Sequence, residues 1–235
     1  MRTVGQTSTG QQKAGGLAAL YLAAAYLLAI PFFLVVVDYL SVTDPTAKVA
    51  LLVANHGSIQ VMHLITYVFL GLALGGLVLA LHERLKFVAP VLMQAATLVG
   101  LLWAFVLVAS GLIFNAGMGA VVTLYPSNPG QAVAMWQAIE PVSEALSCSD
   151  GEILGGLWVL LVSIAGLRES GLVKPLGWLG LAVGFVGILS VIPPLRDAAL
   201  VFGMMQIGWF IWLGITMLRP TERREQMLIL AAEPA

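Results

Sequence analysis

The groups able to do chemistry in this chain are few, and they gather near the ends of long apolar runs. Asp38 lies near the outer end of the first run, His56 and His63 stand seven residues apart on what would be one helix face, and Asn115 closes a later run. Asp150 and Glu152 open a fourth apolar run, Gln206 sits inside the last, and Glu140 and Glu144 share one side of a connecting segment. Polar groups in apolar surroundings cost free energy unless partnered, which makes them default candidates for function. Two chemistries fit. Asp38, His56, His63 and Glu152, with Glu140 or Glu144, supply the imidazole and carboxylate donors that zinc or non-haem iron accepts. Such a divalent metal could activate water against a lipid or small ester. Alternatively, Asp38, His63, Asn115, Glu140, Glu144, Glu152 and Gln206 surround a pocket for a lipid or small apolar ligand. Structural roles compete with both: carboxylates such as Asp150 and Glu152 also suit helix starts, and a lone His63 can donate to a neighbouring helix.

Other chemistries find less support. No His-Glu-x-x-His run is present, and Ser110, Ser147, Ser149 and Ser163 stand outside any Gly-x-Ser-x-Gly elbow. Haem is disfavoured, because His56 and His63 share one helix and His82 lies 19 residues beyond His63. That separation is about 28 Å along a helix. A His63 pair with Met204 or Met205 is the remaining haem geometry. The single cysteine, Cys148, excludes an intrachain disulfide and a cysteine-based metal cluster.

The elements that position these groups follow from composition. The 235 residues are 60% hydrophobic and 10% charged, with a mean hydropathy of +0.96. A soluble chain carries about 25% charged residues. The net charge of −1 gives no basic field for nucleic acid. Crossing a hydrocarbon core of about 30 Å takes about 20 apolar residues. Six segments meet or approach this: 14–40, 59–81, 88–114, 153–167, 176–195 and 198–218. The fourth is short and is expected to extend upstream through Glu152 and Asp150. The prediction is an all-α, polytopic membrane helical bundle at 14–219, between polar tails at 1–13 and 220–235.

Orientation follows from Lys and Arg. Of eleven such residues, Arg2, Lys13, Arg84, Lys86, Arg168, Lys174, Arg219, Arg223 and Arg224 fall on one side; Lys48 and Arg196 fall on the other. Short basic loops stay in the cytoplasm, so both termini are expected there.

The longer connections lie on the outer side. Asp44–Pro45 starts an amphipathic segment with Val49, Leu52 and Val53 on one stripe. Asn128–Pro129–Gly130 starts another, with Val133, Trp136, Ile139, Val142 and Leu146 at helical spacing and Gln137, Glu140 and Glu144 on another side. This second segment either lies at the lipid interface or forms a lid whose carboxylates turn inward. Gly71, Gly75 and Gly76, then Gly155 and Gly156, then Gly177, Gly180, Gly184 and Gly187 suit close helix approach.

The second half also carries a resemblance. After Glu152 come Gly155–Gly156–Leu157–Trp158–Val159–Leu160–Leu161, the basic turn Leu167–Arg168, and Lys174–Pro175–Leu176–Gly177–Trp178–Leu179–Gly180. Phe202–Gly203, Gln206–Ile207 and Trp209 follow. The pattern resembles the C-terminal half of the bacterial membrane proteins grouped as domain-of-unknown-function family 4386, and the six-span plan extends the similarity across the first half. The resemblance implies a fold and a bacterial cytoplasmic (inner) membrane location. It brings no catalytic residue.

The leading expectation is a membrane protein that binds a lipid or small apolar ligand in an outward-facing pocket. An intramembrane metal-dependent hydrolase is the alternative, and whether the chain is an enzyme stays open. A small transporter would need polar groups deeper along a path. An accessory subunit of a membrane complex, or a homo-oligomer, is a further alternative.

Overall fold

The computed structural model describes residues 4–39, 41–147, 151–168 and 172–219. Arg2, Cys148, Ser149, Asp150, Arg223 and Arg224 lie outside the described residues. Helices account for nearly all of what is described, and no strand occurs among the described residues. They are α1 (Val4–Pro31), α2 (Pro45–His63), α3 (Leu70–Leu85), α4 (Pro90–Leu124), α5 (Pro129–Leu146), α6 (Ile153–Leu167), α7 (Lys174–Leu189) and α8 (Ala198–Leu218). A π-helical turn at Phe32–Val36 follows α1, and another at Leu64–Phe69 fuses α2 to α3.

Helices α1, α3, α4, α6, α7 and α8 form a closed ring in which each packs on the next and α8 returns to α1. Trp103 from α4, Trp158 from α6 and Trp209 from α8 fill its centre, all at most 1% exposed. The outer faces remain apolar: Leu98 and Phe105 on α4 are 72% and 68% exposed, and Trp178 on α7 is 66% exposed. A water-facing protein does not display such a belt on every helix; lipid solvates it. The chain is therefore a membrane-embedded helical bundle. Between such helices, close van der Waals packing supplies most of the attraction. The tightest approach joins α6 to α7, where a Cβ on Gly156 would lie 2.9 Å from the Gly184 carbonyl oxygen and one on Gly184 2.7 Å from that of Gly156.

Four helical runs are long and apolar enough to cross a membrane: Gly10–Val36, Pro45–Leu85, Pro90–Leu124 and Ala198–Leu218. The sequence predicts six. Helices α6 and α7 are apolar but have only 15 and 16 residues, about 22–24 Å each. The upstream extension expected for α6 does not include Glu152, and Asp150 lies outside the described residues. Gly151 has φ +152°, a Cβ there would meet Val191 Cα at 2.9 Å, and Glu152 serves as the N-cap.

The first outer segment also differs from expectation. Asp44 caps α2 by accepting from Ala47 N at 2.7 Å, as predicted, but the helix then continues without a break as the 41-residue run Pro45–Leu85. Asn55 departs from helical geometry and kinks the run without ending it. The run is about 60 Å long and the 35-residue α4 about 52 Å. Both outreach a bilayer core of about 30 Å, and α5 packs along the surplus. There a second apolar cluster forms from Val49, Leu52, Ile59, Phe114, Val121 and Trp136. Helix α5 is thus a packed element of a cap rather than a helix resting on lipid.

Candidate functional site

Where the ring meets this cap, two cavities lie side by side. The first, of about 160 Å³, is bounded by Ala25 and Ala29 of α1, Thr66 and Tyr67 of the second π-helical turn, Ser147 and Glu152. The second, of about 170 Å³, is bounded by Tyr39, His63, Ser110, Phe114, Ser143 and Glu144. Phe33, Tyr67 and Ser147 border both.

Local sequence explains this edge. Pro31 ends α1, and Phe32–Val36 continues as a wide turn that brings Phe33 inward. The widened turn at Leu64–Phe69 places Thr66 and Tyr67 at the first cavity, and Tyr21 Oη donates to the Ile65 carbonyl at 2.7 Å. Such single π-helical turns are frequent at functional sites.

Helix α5 covers the second cavity and is held antiparallel to α4. Ser110 Oγ donates to the Ser143 carbonyl at 2.8 Å and Ser143 Oγ donates to the Ser110 carbonyl at 3.1 Å. Gly117 gives room to Ile139, whose Cγ2 would lie 2.5 Å from an added Cβ. Glu140 accepts from Lys48 Nζ at 2.7 Å. Of the three polar residues expected on one side of this helix, Gln137 is exposed, Glu140 turns to α2 and Glu144 lines the cavity.

The predicted site residues divide sharply. His63, Glu144 and Glu152 reach the cavity pair; Glu140 supports its cover. His63 is enclosed by rings: its centroid lies 3.6 Å from Phe114 and 4.9 Å from Tyr67, both nearly parallel, and 5.3 Å from Phe33 edge-on. Its Nδ1 is buried without a hydrogen-bond partner. The Glu152 carboxylate folds over the first turn of α6, where a Cβ on Gly155 would lie 3.2 Å from Oε2. That Oε2 atom is buried and also lacks a partner.

Asp38, His56, Asn115 and Gln206 stand elsewhere. Asp38 is an exposed turn residue with φ 52°, and its carbonyl accepts from Ser41 Oγ at 3.2 Å. Asp tolerates that left-handed conformation better than most residues. His56 is exposed, with Nδ1 3.2 Å from its own helix's Val53 carbonyl. Asn115 donates to the Gln60 carbonyl at 3.4 Å. Gln206 is fully buried in the ring and lines neither cavity. The expected metal set of Asp38, His56, His63 and Glu152 is therefore not assembled. Among the described residues, no three His, Cys, Asp or Glu side chains form a group able to hold a metal. The reason is geometric: the two exposed residues face away, and aromatic rings enclose His63.

The sequence reading missed Phe33, Tyr39, Thr66 and Tyr67. Tyr67 carries the clearest signal, a tyrosine deep in an apolar run and one helical turn beyond His63. No family model, no curated protein and no solved structure matches the chain.

Proposed function

We propose that this chain binds a small amphiphile, or the tail of a lipid, in the paired cavities where the ring meets the cap. One observation carries the reading: two half-open cavities that share Phe33, Tyr67 and Ser147, with the buried, unpartnered Glu152 carboxyl oxygen beside the first. An apolar cavity of about 150 Å³ accommodates benzene. Each space therefore suits a ring or a short alkyl segment, not a whole phospholipid. The shortness of α6 and the two π-helical turns support the same reading, since each departs from regular packing at this edge.

The membrane setting is part of the proposal. Six crossings, with both termini in the cytoplasm of a bacterial inner membrane, agree with the distribution of Lys and Arg. The likeness to domain-of-unknown-function family 4386 is retained on the same footing. The metal-dependent hydrolase gains no support from side chains that do not converge.

Native mass spectrometry of protein released gently from its membrane tests the binding. An organic adduct is expected, and Ala29→Leu, which extends a side chain into the first cavity, should remove most of it. A bare wild-type chain would contradict the proposal. For orientation, Asp44→Cys in a Cys148→Ser background should react with an impermeant maleimide in intact cells. Reaction only after lysis would reverse the topology.

A further inference from the structure

We infer that the bound amphiphile presents a primary amine, held as its ammonium by Glu152. The inference rests on the binding reading above and concerns the head group that this site selects.

The charge of the lining is one-sided. Glu152 borders the first cavity and Glu144 the second, while among the described residues neither lining includes Lys or Arg. A carboxylate or phosphate head group would find no Lys or Arg in the lining beside Glu152 to pair with, which selects against anions. A purely apolar ligand would leave Glu152 Oε2 buried and unpaired, which is costly for a carboxylate oxygen. An ammonium resolves both difficulties. It brings three donors and no acceptor, and the hydroxyl-bearing residues Tyr26, Tyr67 and Ser147 border the same cavity as Glu152. The aromatic lining favours a cation as well, since Phe33, Tyr26 and Tyr67 all border the space. Geometry keeps the carboxylate in place: Glu152 N donates to Ser190 Oγ at 2.9 Å, and Gly155 leaves room for Oε2.

The test compares three head groups on one short tail. Hexylamine, hexanol and hexanoate are titrated calorimetrically, near neutral pH, into the full chain in phosphatidylcholine nanodiscs, with protein-free nanodiscs as blanks. Hexylamine should bind roughly tenfold more tightly than hexanol, as a charge-assisted hydrogen bond implies, and hexanoate should bind weakest. Glu152→Gln, of nearly the same shape, should remove the amine's advantage and leave hexanol binding unchanged. The wild-type ranking decides the matter even if that variant folds poorly. Hexanol or hexanoate binding as tightly as hexylamine would overturn the amine assignment and leave the cavity reading standing. No binding of any of the three beyond the blanks would overturn both.

Discussion

The hydroxyl of Tyr39 meets the carboxylate of Glu140 at 2.5 Å, although 101 residues of chain separate them. The same Oε1 accepts from Lys48 Nζ at 2.7 Å, and that ammonium lies 4.8 Å from the centroid of the Tyr39 ring. One oxygen thus ties α5 to α2 and to the turn after α1. Replacing Glu140 with Ala strands a partly buried ammonium and a buried hydroxyl. The expected cost is about 2–3 kcal/mol, concentrated in α5. Hydrogen exchange over 129–146 should accelerate in Glu140→Ala, with less change in α6 and α7. Unchanged exchange would show that the latch does not hold α5 down.

Glycines separate in the same way. An alanine at Gly184 would place its Cβ 2.7 Å from Gly156 O and from Leu160 N, both backbone atoms. Backbone cannot step aside as a flexible side chain can, so α6 and α7 must move apart. Gly184→Ala is expected to destabilise by about 1–3 kcal/mol and to lower the melting temperature in detergent. Gly76→Ala meets nothing within 4 Å and should be neutral or slightly stabilising. Equal melting of the two variants would contradict this packing.

His63 acts here as a ring. Stacked between Phe114 and Tyr67, with Nδ1 unpartnered, it resembles a core aromatic more than a ligand. His63→Phe should therefore keep the fold, while His63→Ala opens a void and costs about 3 kcal/mol. Comparable loss from both variants would mean that an imidazole nitrogen matters, and would revive a polar role.

Gln206 gives the converse test. It is fully buried, and its Nε2 and Oε1 both lack partners. Gln206→Leu removes an unpaired amide at similar volume and should raise stability by about 1–3 kcal/mol. Ligand retention should not change, because the residue borders neither cavity. Loss of the ligand in this variant would extend the site into the ring.

Hydropathy made the all-α bundle legible, and helix-start chemistry placed Pro45 and Pro129 correctly as first helical residues, while the fifth run, read from 176, begins at Lys174. The close approaches of Gly71, Gly156, Gly180 and Gly184 were legible from spacing, whereas Gly76 shares that spacing and touches nothing. Spacing fixes a helix face but not what stands opposite it. The site was only half legible for the same reason. Listing polar residues found Glu152 and His63, but also selected Asp38, which serves a turn, and His56, which faces outward. The cavity itself depends on two π-helical turns and on the late start of α6, which begins only after Gly151 and Glu152. Local widening of a helix leaves no hydrophobic period to read.

Photolabelling tests the central claim most directly. A short alkylamine bearing a diazirine would be activated on the full chain in nanodiscs, and the labelled peptides mapped by mass spectrometry. The expected label falls on Tyr67, Ser147 and Glu152 and is competed away by hexylamine. Label confined to the lipid-facing belt, at residues such as Leu98, Phe105 and Trp178, would mean that the paired cavities do not receive the amphiphile.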